Sequence, residues 1–176
     1  MHYTGLRGNQ MAAGSTYTPI ATSSPSGTAT VTFTGISGSY TDLVLVFGGS
    51  MAAAANMFVR VGNGSLDTAS NYSVTEMVGS GTSASASRLS SQTEIKITEG
   101  LFFNTSEQCN LIINLQNYSN TTTYKTVLSR ANSAGIGVQA QVSLWRSTSA
   151  INQVSLYGSQ NFQSGSVVTL YGIASA

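Results

Sequence analysis

The chain has 176 residues, enough for one sizeable core and too few for two independent ones. Only 7% of them are Asp, Glu, Lys or Arg and the net charge is +1, where ordinary soluble domains carry about 25% charged residues. That balance offers no basic stripe to nucleic acid and no electrostatic pull toward an anionic membrane.

Solubility therefore falls to hydroxyls and amides, since Ser and Thr together number 49. A surface so poor in charge repels its neighbours weakly, which suits a subunit of a permanent assembly. Residues 1–16, small, polar and without periodicity, read as an N-terminal arm. The opening MHYTGLRGNQ lacks the apolar centre of a secretion signal, so synthesis in the cytoplasm is expected. Residues 17–176 are expected to form a single domain.

In chain order the β-type runs are TATVTFTGI (28–36), TDLVLVFG (41–48), NMFVRVGN (56–63), NYSVTEMV (71–78), TEIKIT (93–98), CNLIINLQN (109–117), TYKTVLSRA (123–131), IGVQAQVSLWR (136–146), VSLYG (154–158) and VTLYG (168–172). Alternation is cleanest at Val31 and Phe33 and at Ile95 and Ile97. LVLVF and LIINL are continuous apolar runs, better placed where both faces are covered. LVLVFGGSMAAAA (43–55) is too short and too broken by glycine to span a bilayer. MAAAAN (51–56) reads equally as one helical turn or a strand-crossing loop. GSGTSASASRLSSQ (79–92) is expected to be a flexible connection, because its composition cannot build a core. About ten strands at this spacing predict an all-β fold, a two-sheet antiparallel sandwich of jelly-roll type.

Catalytic chemistry finds little to stand on. Nucleophilic catalysis of the Ser/His/Asp kind needs a structurally held histidine, and the sole histidine, His2, falls in the arm. One cysteine and six scattered carboxylates show no metal-ligand spacing. Glu94 and Lys96 share one strand face with Glu99 just beyond, and Asp67 and Glu76 flank another strand. Both groups read as exposed strand-face charges rather than a glycosidase pair. GSG (79–81) and GIG (135–137) lack the strand–loop–helix setting of a phosphate cradle. Cys109, flanked by NLIINL, reads as a small buried apolar residue. The expectation is a non-enzymatic protein without metal or cofactor. Five Asn-x-Ser/Thr triplets, at Asn63, Asn71, Asn104, Asn117 and Asn120, decide nothing in so Ser/Thr-rich a chain.

Four phrases carry a resemblance: YTPIATSSPSGTATVTFTGISGSYTDLVLV (17–46), VRVGNGSLDTASNYSVTEMVGSG (59–81), LWRSTSAINQVSL (144–156) and NFQSGSVVTLYGI (161–173). In this order the chain resembles a family of small all-β structural proteins of tailed bacteriophages, of the marine and cyanophage type, described as tail-fibre-like or virion structural. The strongest signature is the closing NF-x-x-GS-x-x-x-LYGI. Family members often begin near the equivalent of MAAGSTYTPIA, so either Met11 is a second start or MHYTGLRGNQ is an added arm. The resemblance implies a place on the virion exterior, a jelly-roll-like sandwich and homo-oligomerisation, with a trimer the natural form for a fibre tip or a decoration knob. It carries no catalytic residues.

Three functions follow as expectations. A tail or fibre module would contact other virion proteins and the host surface. A capsid decoration protein would clamp shell subunits with its arm. A soluble carbohydrate-binding protein would present rings and amides to sugars. For host polysaccharide the SQNFQSG loop offers Gln160, Asn161, Phe162 and Gln163, while Tyr157, Tyr171 and Trp145 are candidates for contacts between subunits. VSLYG and VTLYG are expected to form the last hairpin, with Val154, Leu156, Val168 and Leu170 inward and both tyrosines on the other face.

Overall fold

Period-two alternation dominates the chain, and strands follow from it. The computed structural model describes residues 16–98 and 103–174; apart from Thr16, the expected arm lies outside them, as does Glu99. Among the described residues thirteen strands form: β1 (Tyr17–Ser23), β2 (Thr30–Phe33), β3 (Asp42–Gly49), β4 (Met57–Asn63), β5 (Ser65–Leu66), β6 (Tyr72–Ser80), β7 (Ser83–Gln92), β8 (Ile95–Lys96), β9 (Cys109–Leu115), β10 (Lys125–Ser133), β11 (Gly137–Trp145), β12 (Gln153–Gly158) and β13 (Val167–Ile173). Eight build one antiparallel sheet in the order β1-β13-β3-β9-β10-β11-β6-β7. The other five form the facing sheet, β2-β12-β4-β5 with β8 also paired to β4. The chain switches sheets repeatedly, as a jelly roll does. MAAAAN is a loop, tied by bridges from Met51 to Phe162 and from Ala55 to Phe103.

Between the sheets lies one core. The large sheet contributes Leu43, Leu45, Phe47, Leu111, Ile113, Leu115, Val127, Val168 and Leu170; the small sheet contributes Val59, Val61, Ile95, Val154 and Leu156, all essentially inaccessible. Phe47 anchors it, stacked on Phe103 at 5.8 Å and tilted against Phe162 at 5.5 Å. Cys109 is buried there as a free thiol.

The last-hairpin expectation is overturned. β12 pairs with β2 and β4 in the small sheet, while β13 pairs with β1 and β3 in the large one. The cause is Phe162: its ring plugs into the core, so residues 159–165 cross between layers instead of turning back. The inward set holds, since Val154, Leu156, Val168 and Leu170 are all fully buried. The two LYG phrases belong to different sheets, VSLYG to the small one and VTLYG to the large one.

The segment expected to be a flexible connection is β7, ten residues paired with β6 along its length. Ser80 pairs with Ser83 across a two-residue loop, Gly81-Thr82, and Gly81 takes φ +58. That positive φ is what a tight hairpin requires of its first loop residue, and glycine adopts it without strain. β1 also falls outside the expected runs. It forms an edge strand that tolerates Pro19 because no ladder bond is needed on its free side.

Candidate interaction surface

At the β10-β11-β6 end of the large sheet β11 inverts the usual polarity, burying Gln139, Gln141 and Ser143. Its neighbours bury a mixed set, with Glu76 among Tyr72, Val74 and Val78 on β6, and Ser129 and Ser133 among Val127 and Ala131 on β10. On the outward face of the same strands lie Leu128, Val138, Val142 and Met77, the last 69% exposed. Strand alternation forces this outcome on β11: GVQAQVSLW places Gln139, Gln141 and Ser143 on one face and Val138, Ala140 and Val142 on the other, and the register turns the apolar set outside.

Around Glu76 the interior polar groups are linked by hydrogen bonds, as burial demands, although Gln139 Oε1 and Ser133 Oγ are left without a hydrogen-bond partner among the described residues. Gln139 donates its amide to Glu76 at 2.5 Å and to Gln141 at 3.1 Å. Gln141 donates in turn to Ser143 at 3.1 Å, and Ser87 of β7 donates to the second oxygen of Glu76 at 2.7 Å. This ladder stitches β6, β7 and β11. It also corrects the expectation for Glu76, which is an interior carboxylate at 3% exposure and not a surface charge.

Outside, the cross-strand rows are read directly from the register. Ala86, Met77, Ala140, Arg130, Ile112 and Val46 form one row across six strands. Arg88, Thr75, Val142, Leu128, Asn114 and Val44 form the next. Two adjoining depressions, of about 590 and 480 Å³, run along β11 and share Met77, Arg130 and Ala140. The apolar runs LVLVF and LIINL lie in this sheet. Their inner faces are covered, whereas Val46 and Ile112 on the outer face are only half-buried.

The residues expected at sugars or partners are scattered. Phe162 is 1% exposed and cannot offer its ring to a sugar; this is a correction, and its cause is the core packing against Phe47. The loop around it is clamped by backbone bonds, Gly27 N–H to the Phe162 carbonyl at 3.0 Å, Phe162 N–H to Thr28 at 2.8 Å and Ala52 N–H to Asn161 at 2.8 Å. Gln160 and Asn161 remain exposed on it. Gln163 is half-buried and accepts a hydrogen bond from the Ser50 hydroxyl at 3.0 Å.

Trp145 is likewise corrected: at 3% exposure it is interior, not an aromatic for contacts between subunits. Its indole N–H donates to Asp67 at 2.7 Å. Asn71 and the Ala69 N–H also donate to that carboxylate, at 2.9 and 2.8 Å. Burial works to raise the Asp67 pKa, but these three donors together hold it below the ordinary carboxylate value. Tyr157 stands on the outer face of the small sheet, stacked on Phe58 at 5.3 Å with the Arg60 guanidinium 5.1 Å from its ring centre. Its hydroxyl donates to Glu94, which also pairs with Arg60 at 2.8 Å. Burial and that carboxylate raise its pKa. Tyr171 lies on the outer face of the large sheet, edge-on to Tyr17 at 6.1 Å.

Among the described residues no three of His, Cys, Asp and Glu come together as metal ligands would, and no helix is long and apolar enough to cross a membrane. Comparison with models of protein families, with curated proteins and with solved structures gave no match. The sequence signal that would have found the outer face was present in the odd positions of VQAQV. It was missed because alternation alone does not say which set turns inward.

Proposed function

We propose that this protein is a non-enzymatic structural subunit of the exterior of a tailed-phage particle, of tail or fibre type, that buries the outer face of its large sheet against a neighbouring protein of the assembly. One observation carries the reading: the inverted polarity of β11, whose outward Val138 and Val142 join exposed Met77 of β6 and Leu128 of β10. A fold that shelters Gln, Ser and Glu while leaving Met77, Val138, Val142 and Leu128 outside gains from those apolar groups only when something covers them. Covering one such side chain fully is worth about 1.5–3 kcal/mol. The charge-poor surface and the likeness of residues 17–173 to small virion proteins support the same reading.

Host contact, in this reading, uses polar groups of the 159–165 loop, with Gln160 and Asn161 exposed on a segment that Phe162 anchors. The test is immunogold labelling of purified particles with quantitative mass spectrometry of copy number. Label on the tail at a few tens of copies per particle supports the proposal. Label over the head at hundreds of copies replaces it with capsid decoration, and absence from particles overturns it.

A further inference from the structure

We propose that the free edge of β7 pairs with β7 of a second copy of this chain, antiparallel about a two-fold axis at Ala86, joining two eight-stranded sheets into one. The proposal does not depend on the virion reading.

β7 is hydrogen-bonded to β6 on one side only. Along its other side, among the described residues, no strand or loop takes up the outward row of N–H and C=O groups. Exposed edges of this length are normally blunted by proline, charge or a bulge, because they template association. The opposite edge of the same sheet shows that protection: β1 carries Pro19, and its register breaks between Pro19 and Ala21. β7 has no proline and a single charge, Arg88. Its one irregularity lies at the far end, opposite Tyr72 and Val74, where Ser91 takes φ 55. Residues 83–89 are left regular and open.

The asymmetry of the two edges selects the symmetry of the contact. Joining β7 to β1 of the next copy would be heterologous and open-ended, and the blunted β1 disfavours it. Pairing β7 with itself is isologous and closes at two copies. This differs from the three-fold arrangement implied by the family resemblance.

Side chains fix the axis. Ala84, Ala86 and Arg88 lie on the outer face, opposite Gly79, Met77 and Thr75 of β6. An axis at Arg88 would set two guanidinium groups directly against each other, which destabilises a strand pair. With the axis at Ala86, Arg88 of each chain lies opposite Ala84 of the other, and serines face serines on the reverse side. Within two residues of the axis every cross-axis pair is then small with small or charge with methyl, and Leu89 falls opposite Ser83 at the ends. Ala84 and Ser85 also line the groove along β11, so the pairing brings two grooves to either side of the axis as one continuous outer surface.

Sedimentation velocity on the full chain and two variants tests this. The unaltered chain is expected to sediment as a dimer at micromolar concentration. Ala86→Lys, which sets two ammonium groups across the axis beside Arg88, raises the dissociation constant by about tenfold. Ala84→Glu, which places a carboxylate opposite Arg88 of the second copy, lowers it by a few-fold. Both positions are exposed, and unchanged far-ultraviolet circular dichroism confirms that each variant folds. A monomer or trimer for the unaltered chain overturns the proposal. So does a dimer indifferent to Ala86→Lys, or one that Ala84→Glu fails to tighten.

Discussion

Arg130 of β10 and Ala140 of β11 are cross-strand partners on the outer face of the large sheet, and their difference in height makes the groove. The alanine forms its floor, while Arg130 on one side and Met77 on the other rise as walls. An apolar floor this open is expected to bind amphiphilic dye in the native state. Met77→Asp combined with Val138→Asp is expected to lower native-state binding of an anilinonaphthalene dye several-fold. Stability should change by no more than about 0.5 kcal/mol per site, as at other exposed positions. Dye fluorescence and a urea titration read the two quantities separately.

The Asp67–Trp145 hydrogen bond gives a pH prediction with a defined sign. The Asp67 carboxyl is held below its ordinary value of 3.8 in the folded protein. A depressed acid contributes stability that is fully present above the unfolded value and is lost as pH falls through the folded one. Trp145 is the only tryptophan, so its emission reports the event: the spectrum should stay constant down to about pH 4 and shift below it. Asp67→Ala leaves the indole N–H without its acceptor and is expected to cost about 1–3 kcal/mol in a urea titration.

Within one loop, three neighbouring residues should behave differently. Phe162→Ala removes a ring from contact with Phe47 and should cost about 3–5 kcal/mol. Asn161→Ala and Gln160→Ala, both exposed, should stay within about 0.5 kcal/mol. If the loop contacts host polysaccharide, the two polar substitutions weaken cell binding without changing the melting temperature. Phe162→Ala lowers both together.

Much of the architecture was legible in the sequence because period-two patterning is a local signal. Val31 and Phe33, or Ile95 and Ile97, announce their strands and their faces alike. β7 was hidden because SASASRLSSQ has neither β-branched nor aromatic residues. Only the pairing with β6 and the Gly81 turn make it a strand, and neither shows in composition. The partners of β12 and β13 were misread for a related reason. Two similar phrases with nine residues between them suggest a hairpin, but Phe162 between them carries a large burial term that draws the connection through the core. The glycine closing VTLYG also has a tertiary cause: a Cβ at Gly172 would sit 2.4 Å from the Tyr40 ring. The interior of Glu76, Gln139 and Gln141 was opaque, since nothing local says that a polar strand face is the buried one.

The central claim is that the outer sheet face is covered in the assembly, and Met77 reports on it most directly. In the single chain Met77 is 69% exposed and Tyr124, away from the groove, is 54% exposed. Hydroxyl-radical footprinting with mass spectrometry should be run on the isolated protein and on intact particles. The account predicts that Met77 oxidation falls by about tenfold or more in the particle, as burial in an interface core excludes solvent, while Tyr124 changes little. Equal oxidation of Met77 in the two samples would contradict it.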